Sequence, residues 1–168
     1  VKSTESTMIG AIEYIKNKNI NCFYLADEQT KGKGRRGNSW ISPTGNIYCS
    51  MTFKNNLKLK NHFLYSILIC VSIKMALKKF TTKSIQFKWP NDIFYKNQKF
   101  CGIISEIHSI DHSKKFIILG IGINFNSAPN IKNYPTTYLK SFCKIGEINE
   151  FLENFLKILF LNYNNFLN

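Results

Sequence analysis

Three consecutive strand patterns between residues 84 and 124 place the strongest constraint on the fold. They are Ser84–Trp89, Lys99–Ile107 and Lys115–Asn124. A short segment, Ile93–Tyr95, followed by a turn at residues 96–98, joins the first two strands as a hairpin. Such a hairpin argues against strict strand–helix alternation, and therefore against a doubly wound parallel sheet. Together with flanking helices, these strands predict an α+β fold in which helices cover a mixed sheet.

Three helices are predicted from the spacing of apolar residues. The first follows a cap at Ser3 or Thr4, and its apolar side chains are Met8, Ile9, Ile12 and Ile15. The second, His62–Phe80, is apolar at three- and four-residue steps, which predicts a buried helix. Those steps run through Leu64, Ile67, Leu68, Val71 and Met75. The third helix, Ile148–Phe166, is amphipathic.

Two more strands are predicted before the second helix. Ile20–Ala26 is short and mostly apolar. In residues 47–53, apolar side chains alternate with polar ones, which is typical of a strand with one buried face. Between these strands, a polar loop that contains glycines runs from Asp27 to about Asn38.

Length and composition favour a single domain over residues 1–168. The chain is 44% hydrophobic and has 14 Phe, 8 Tyr and 2 Trp, which is enough for a buried core and excludes a disordered chain. The apolar stretch Phe63–Ile73 is shorter than the roughly 20 residues of a membrane span, and Glu5 interrupts any signal peptide. The 5 cysteines form no Cys-x-x-Cys pair, which argues against a zinc knuckle or a disulfide framework. We therefore expect a cytoplasmic domain with no membrane contact.

The chain is strongly basic, with a formal net charge of +13. Such a charge attracts polyanions, including nucleic acids, nucleotides and acidic proteins. It also reflects a chain-wide bias, because the sequence contains 23 Ile, 21 Lys and 20 Asn. The two arginines, Arg35 and Arg36, are more informative because they are adjacent in a glycine-containing loop. A guanidinium group is suited to bidentate binding of a carboxylate or phosphate.

The segment Gln29–Trp40, called the glycine loop below, is the most unusual part of the sequence. Its glycines, at positions 32, 34 and 37, let the backbone approach a ligand closely. Lys33, Arg35 and Arg36 stand between them as donors for phosphate or carboxylate oxygens. The loop is not a Walker loop, and the lack of a following helical pattern argues against a dinucleotide fingerprint. A solvated basic loop is the alternative, and Trp40 is either a core anchor or a stacking platform.

A second cluster consists of Lys88-Trp89-Pro90-Asn91-Asp92 together with Lys99 and Gly102. Asp92 and Lys99 flank the predicted hairpin, so we expect both side chains to point into one pocket. There the carboxylate would orient an amine or a metal ion, and the ammonium would stabilise charge on a carboxylate or phosphate. An Asx-turn cap is the alternative for Asp92.

Other segments give weaker signals. Gly120-Ile121-Gly122-Ile123-Asn124 contains small residues that allow either close approach of a ligand or tight packing in the sheet. The histidines share no metal-ligand spacing, and no Cys–His or Ser–His pair indicates a nucleophile. His62, His108 and His112 are therefore interpreted as surface or packing residues.

Taken in order, these segments resemble the catalytic domain of the biotin protein ligase family. The matching residues are Ser3-Thr4, Gln29, Gly32-Lys33-Gly34-Arg35-Arg36-Gly37, Trp40, Lys88-Trp89-Pro90-Asn91-Asp92, Lys99, Gly102 and Gly120-Ile121-Gly122-Ile123-Asn124. The resemblance covers about residues 1–126 and implies a fold similar to class II aminoacyl-tRNA synthetases. It also implies an ATP-dependent ligase in which biotin and MgATP give biotinyl-5′-AMP and pyrophosphate. A lysine of the biotin carboxyl carrier protein then takes the biotin as an amide.

The resemblance implies roles for individual residues. The catalytic residues would be Arg35, Lys99 and Asp92, with Asp92 steering the acceptor lysine. The biotin-binding residues would be Ser3, Thr4, Glu5, Gln29, Gly32, Lys33, Gly34, Arg35, Lys99 and Gly102. The ATP-binding residues would be Lys33, Arg35, Arg36, Trp40, Asn91, Lys99 and Asn124. Mg²⁺ would come with ATP and have no fixed protein ligands, and the glycine loop would close over the adenylate.

Three positions depart from the family pattern. Glu5 stands where the family often has Asn, Lys33 replaces an Arg, and Asn38 replaces another basic residue. We expect no DNA-binding segment before Ser3 and no small SH3-like β-barrel lobe after the last helix, and hence no repressor activity or specific DNA binding. The resemblance leaves the oligomeric state open and allows a homodimer.

Two other functions remain as alternatives. A lipoate ligase or octanoyltransferase shares the implied fold and related acyl chemistry, although the second cluster and the paired arginines favour biotin. A nucleic-acid-binding module is suggested only by the net charge, and it predicts salt-dependent binding to DNA or RNA.

Overall fold

The structure, a computed structural model, describes residues 1–54, 62–110, 114–132 and 134–167. Within these ranges, the chain forms eight strands and three α-helices. The strands are β1 (Ser3–Thr4), β2 (Phe23–Ala26), β3 (Glu28–Gln29), β4 (Ile47–Lys54), β5 (Gln86–Lys88), β6 (Asp92–Tyr95), β7 (Gln98–Ser109) and β8 (Lys115–Ile123). The helices are α1 (Thr7–Lys18), α2 (Phe63–Leu77) and α3 (Ile148–Leu167). None of these helices is long and apolar enough to cross a membrane.

Six of the strands form one antiparallel sheet in the order β2-β4-β8-β7-β6-β5. The predicted α+β fold is confirmed, and among these eight strands only β1 and β3 pair in parallel, outside the main sheet. The chain turns at residues 96 and 97 as predicted, but the hairpin there joins β6 and β7. Ile93–Tyr95, predicted as part of the link between Ser84–Trp89 and Lys99–Ile107, belongs to β6, which pairs with both β5 and β7. The two turn residues of the hairpin, Lys96 and Asn97, are both left-handed, with φ of 47° and 61°, as in a type I′ turn.

Helices cover both faces of this sheet. α2 and α3 pack on one face over the main core, which includes Ile73 and Phe155. α1 covers the other face, where Met8 lies in a smaller apolar cluster with Phe116 and Ile118 of β8. The central strands therefore need apolar or fully hydrogen-bonded side chains on both sides.

β4 is buried on both faces, not on one as its alternating sequence predicts. Its apolar side chains in the main core are Ile47, Cys49, Met51 and Phe53. On the opposite face, the Ser50 hydroxyl donates to Thr7 Oγ1 at 2.8 Å, and the Cys22 amide donates to Thr52 Oγ1 at 2.7 Å. The polar side chains of the alternation are thus buried with hydrogen-bond partners, because α1 covers them.

The first helix begins at Thr7, and the predicted cap at Ser3 or Thr4 is wrong because those residues form β1. Thr4 lies opposite Gln29 in the β1–β3 pair. Gln29 Oε1 accepts a hydrogen bond from the Thr7 amide at 2.9 Å. A side chain from β3 therefore satisfies one of the open N–H groups at the start of the helix.

α2 is present as predicted, but its buried face differs from the predicted steps. Val71 and Met75 are 37% and 41% exposed, whereas Ile69 and Ile73 are fully buried. Because α2 is apolar around most of its circumference, spacing alone does not select the face that packs on the sheet.

Two strands are shorter than predicted. β2 begins at Phe23 and β5 covers only Gln86–Lys88. At Cys22 the backbone N–H bonds to a side chain of β4 and not to its backbone, so the regular ladder begins one residue later.

Candidate active site

A cavity of about 950 Å³ opens on the face of the sheet that α1 covers. Five parts of the chain line it: the start of α1, the glycine loop, the β5–β6 connection, strands β7 and β8, and the segment that follows β8. Its volume lies near the upper end of the range for small-molecule pockets, about 300–1,000 Å³. The cavity is therefore large enough for a substrate of nucleotide size.

Two glycines on neighbouring strands form the floor of the cavity. Gly102 of β7 and Gly122 of β8 are paired in the sheet, and the indole of Trp40 lies across both. A Cβ atom on Gly122 would stand 2.5 Å from Trp40 Nε1, and one on Gly102 would stand 2.9 Å from Trp40 Cζ3. Trp40 can take this position only over glycine. It packs on the sheet and also lines the cavity. The two interpretations of Trp40, as a core anchor and as a stacking platform, therefore do not exclude each other.

Replacing Gly122 by alanine should displace Trp40 and lower the free energy of unfolding by about 1–3 kcal/mol, the usual range for overpacking. Thermal or denaturant unfolding measures this loss. Gly146→Ala is the matched control, because a Cβ atom there would meet nothing within 4 Å. If Gly122→Ala unfolds at the same midpoint as the parent, the close contact between Gly122 and Trp40 is not what requires glycine at this position.

The glycine loop folds back on itself as a short arm. At its base, the Trp40 amide donates to the Gly32 carbonyl at 2.8 Å. The tip of the arm is a tight turn, Arg35–Gly37, in which the backbone of Arg36 is left-handed, with φ of 56°. A Cβ atom on Gly32 would lie 2.3 Å from the Trp40 carbonyl oxygen. Gly32 thus permits the fold of the arm and does not itself line the cavity. The exposed cations that the arm brings to the cavity are Lys33, Arg35 and Arg36.

A chain of polar contacts joins the arm to the second predicted cluster. Arg35 Nη1 donates to Asn91 Oδ1 at 2.7 Å, and Asn91 Nδ2 donates to Asp92 Oδ1 at 3.1 Å. Lys99 Nζ lies 2.8 Å from the same Asp92 oxygen, and the two side chains are only 15% and 14% exposed. Lys99 Nζ also lies 5.2 Å from the Trp40 ring centroid, within cation–π range. The structure thus brings Arg35, Asp92 and Lys99 together at one cavity.

Tyr134 belongs to this cluster, although no sequence pattern indicates it. Its hydroxyl donates to Asp92 Oδ2 at 3.2 Å, and its ring centroid lies 5.6 Å from Lys99 Nζ. Burial and the adjacent Asp92 carboxylate raise the pKa of the Tyr134 phenol, so the hydroxyl remains a donor near neutral pH. Tyr134 and Asp92 are 42 positions apart in the chain, a separation over which local periodicity carries no signal.

The start of α1 brings Ser6, Thr7 and Met8 to the cavity. The sequence contains the pair Ser-Thr twice, at 3–4 and 6–7, and the first pair, which was predicted to bind biotin, does not line the cavity. Ser3 and Thr4 form β1, and Glu5, which follows them, forms an exposed ion pair with Lys31 at 2.9 Å. The feature of the sequence that distinguishes the pair at the cavity is the position of Ser6-Thr7 directly at the start of the helix. Ser6 Oγ is buried with no hydrogen-bond partner in the described structure, so it is free to bind a ligand.

Gln29 and Asn124 line the cavity with amides that the protein holds in place. Gln29 Oε1 accepts from the Thr7 amide and hydroxyl, at 2.9 and 3.1 Å, and its Nε2 donates to Ser42 Oγ at 2.9 Å. Asn124 is buried, and its Nδ2 donates to the Thr137 carbonyl at 3.1 Å. These contacts fix both amide groups as rigid parts of the wall.

Most of the predicted site residues line this one cavity. They are Gln29, Lys33, Gly34, Arg35, Arg36, Trp40, Asn91, Asp92, Lys99, Gly102 and Asn124. Four do not: Ser3, Thr4, Glu5 and Gly32.

Within the described residues, no group of three or more His, Cys, Asp and Glu side chains is arranged to hold a metal ion. His62 precedes α2 and His108 is half-buried on β7, whereas His112 lies outside the described residues. All cysteines are free thiols. Burial raises the pKa of Cys49 and of Cys70 to about 12, so neither supplies a nucleophilic thiolate near neutral pH.

The geometry agrees with comparison to known proteins. A family model described as "Biotin/lipoate A/B protein ligase family" matches residues 2–124, most of the chain. The chain belongs to this family. A curated member of the biotin/lipoate ligase family, the "Bifunctional ligase/repressor BirA" of Bacillus subtilis (strain 168), is 32% identical over 107 residues. That match covers 63% of this chain and 33% of the relative.

Solved structures of biotin/lipoate ligases match the fold closely. The biotin protein ligase from Aquifex aeolicus in complex with biotin and ATP gives a TM-score of 0.79 at 29% identity, covering 99% of this chain and 69% of that chain. The biotin protein ligase from Leishmania major in complex with biotin gives 0.81 at 22% identity, with 95% and 71% covered. The chain spans about a third of the length of curated relatives of this kind, the ligase/repressors of Bacillus subtilis, Escherichia coli and Bacillus spizizenii.

Proposed function

We propose that this chain is a biotin protein ligase that activates biotin with ATP and transfers it to a lysine of the biotin carboxyl carrier protein. One observation carries the proposal: the Arg35 guanidinium and the Lys99 ammonium line one cavity and are linked through Asn91 and Asp92. Support also comes from the curated relatives, which are named as ligases, and from the Aquifex aeolicus relative, which holds biotin and ATP.

The first step joins the carboxylate of biotin to the α-phosphate of ATP. A carboxylate oxygen attacks the α-phosphorus, the bond from that phosphorus to the bridging oxygen breaks, and pyrophosphate leaves. Because both reactants are anionic, negative charge accumulates where they meet. Lys33, Arg35 and Lys99, which all line the cavity, offset that charge. Mg²⁺ enters with ATP, bound through phosphate oxygens.

Other cavity residues are available for the rest of the nucleotide. Arg36 adds a guanidinium beside Arg35, and Trp40 offers an aromatic face. Asn91 and Asn124 also line the cavity and offer amide groups.

We assign the ureido group of biotin to the wall at the start of α1. Ser6 Oγ supports this assignment because it is buried there without a partner, and Gln29 stands beside Thr7 as a fixed amide. In this assignment Ser6 and Thr7 replace Ser3 and Thr4, and Met8 replaces Glu5 as the following residue. Met8 adds an apolar contact for the rings or chain of biotin.

The second step forms the amide with the acceptor protein. The lysine amine attacks the acyl carbon, the bond from that carbon to the phosphate oxygen breaks, AMP leaves and the amine loses a proton. Asp92 attracts and orients the acceptor's amine. The glycine loop covers the adenylate until transfer, which excludes water that would hydrolyse it. Free thiols are typical of a reducing compartment, so we place the reaction in the cytoplasm.

Biotin-dependent exchange of radiolabelled pyrophosphate into ATP tests the first step. We expect exchange with biotin and no exchange with lipoate or octanoate. Exchange with lipoate alone would instead support a lipoate ligase, which the family description also covers. Absence of exchange with any acid, together with salt-dependent retention of DNA or RNA, would favour a nucleic-acid-binding module.

A further inference from the structure

Three donors from different parts of the chain hold the Asp92 carboxylate. Oδ1 accepts from Asn91 Nδ2 at 3.1 Å and lies 2.8 Å from Lys99 Nζ, and Oδ2 accepts from the Tyr134 hydroxyl at 3.2 Å. Lys99 is the charged donor of the three, and in the proposed function it also serves the reacting groups. Asp92 therefore shares its cationic partner with the substrates.

The segment of residues 134–141, called the return segment, fixes this arrangement through the backbone. The Lys99 amide donates to the Pro135 carbonyl, and the Thr137 amide donates to the Lys99 carbonyl, both at 2.9 Å. Tyr134 directly precedes this pairing. The return segment therefore sets the position of Lys99 and at the same time presents the Tyr134 hydroxyl to Asp92.

Activation of biotin creates a competition for Lys99. When the ammonium turns toward the anionic acyl phosphate, its attraction to Asp92 weakens with distance. Tyr134 is under no such competition, because its phenol is neutral and its raised pKa keeps the proton on oxygen. The hydrogen bond to Asp92 Oδ2 is thus the contact that persists when Lys99 leaves Oδ1.

We propose that Tyr134 is a positioning residue for acyl transfer: its hydroxyl keeps the Asp92 carboxylate directed toward the acceptor amine while Lys99 serves the acyl phosphate. The proposal rests on the proposed function and adds to it a residue outside the family motifs. It assigns the hydroxyl to the second step. The Tyr134 ring, which lies near Lys88 Nζ and Lys99 Nζ at 5.8 and 5.6 Å, would remain in a phenylalanine variant.

Tyr134→Phe tests this by comparing the two half-reactions in the full chain. Pyrophosphate exchange measures activation, and transfer from preformed biotinyl-5′-AMP to the carrier protein measures the second step. We expect the ratio of transfer to exchange to fall about tenfold, as for loss of a hydrogen bond to a charged group. The decrease should appear in kcat for transfer and not in KM for the acceptor. Tyr138→Phe is the matched control, because it makes the same change in the return segment at a side chain that does not line the cavity.

Hydroxylamine supplies a second readout. Near neutral pH hydroxylamine is mostly uncharged, unlike a lysine side chain, so it reaches the acyl adenylate without attraction to the Asp92 carboxylate. Its capture of the bound adenylate should therefore be equal in Tyr134→Phe and the parent. An unchanged transfer-to-exchange ratio, or an equal loss with lysine and hydroxylamine, would overturn the inference alone. If the parent shows no biotin-dependent exchange, the proposed function fails and this inference fails with it.

Discussion

Replacing Lys99 by glutamine should lower the rate of biotin-dependent pyrophosphate exchange by about 100- to 1,000-fold, the loss expected when one preorganised electrostatic donor is removed. Glutamine retains a donor for Asp92, so the substitution removes the charge more than the contact. The Lys99 side chain is only 15% exposed, so water and salt ions do not replace that charge as they would at the surface. Exchange at saturating biotin and ATP measures the effect.

Lys31→Gln is the matched control for Lys99→Gln. Lys31, in the glycine loop, is likewise a lysine paired with a carboxylate, that of Glu5. Its side chain, however, is 71% exposed and does not line the cavity. We expect its exchange rate to equal that of the parent. Lys99→Gln leaves the Asp92 carboxylate without its cation, which should also lower the stability of the protein. The double change Asp92→Asn with Lys99→Gln should recover that stability, because the carboxylate is gone, but it should not recover exchange. Exchange by Lys99→Gln within about tenfold of the parent would contradict the role given to Lys99.

Replacing Arg35 by glycine should release biotinyl-5′-AMP from the cavity and cause biotin to be attached to lysines of unrelated proteins. The bond from Arg35 Nη1 to Asn91 Oδ1, at 2.7 Å, joins the tip of the glycine loop to the opposite wall across 56 positions of the chain. Without it, the arm remains attached at its base, where Trp40 bonds to Gly32. A free acyl adenylate is reactive toward exposed amines, so labelling should no longer depend on the acceptor.

Bystander labelling measures this release. With serum albumin as the bystander, we expect about 10- to 100-fold more incorporated biotin for Arg35→Gly than for the parent, from the loss of a charge-assisted hydrogen bond. Lys31→Gly is the control, since it removes an exposed cation of the same loop that does not line the cavity and leaves the Arg35–Asn91 bond intact. Asn91→Ala removes the other end of the bond and should increase bystander labelling as Arg35→Gly does. If Arg35→Gly retains the adenylate and labels only the carrier protein, the arm is not closed by this contact.

Much of the fold follows from local sequence patterns. The turn at Lys96-Asn97-Gln98 was predicted correctly because turn chemistry acts over a few residues. The strand pairing around it was not, because Ser84–Trp89 was expected to pair with Lys99–Ile107, whereas β6 lies between β5 and β7. The cavity was predicted by a different route. Arg35 is linked to Asp92 through Asn91 across more than fifty positions. No periodicity connects them, so their proximity was expected only from the order of motifs in the family.

The wrong predictions concern features that depend on contacts between distant parts of the chain, which local sequence patterns do not indicate. β4 was expected to have one buried face, because its polar residues gave no sign that α1 would cover them and that Thr7 would bond to Ser50. The face of α2 was misassigned since nearly all its faces are apolar. The sequence does not indicate which Ser-Thr pair lines the cavity, because both pairs precede apolar helical spacing and only the pairing of β1 with β3 separates them. Tyr134 was missed because its loop position has no pattern.

The two tryptophans give this molecule its own optical reporters. The chain has only 2 Trp, and both line the cavity: Trp40 lies over the glycine floor, while Trp89 stands at the rim with 68% of its surface exposed. Their indoles therefore differ in polarity, and each should fluoresce at a different wavelength. A Trp89→Phe variant would leave Trp40 as the only tryptophan, so occupancy of the cavity could be followed in real time by selective excitation of its indole, without any attached dye.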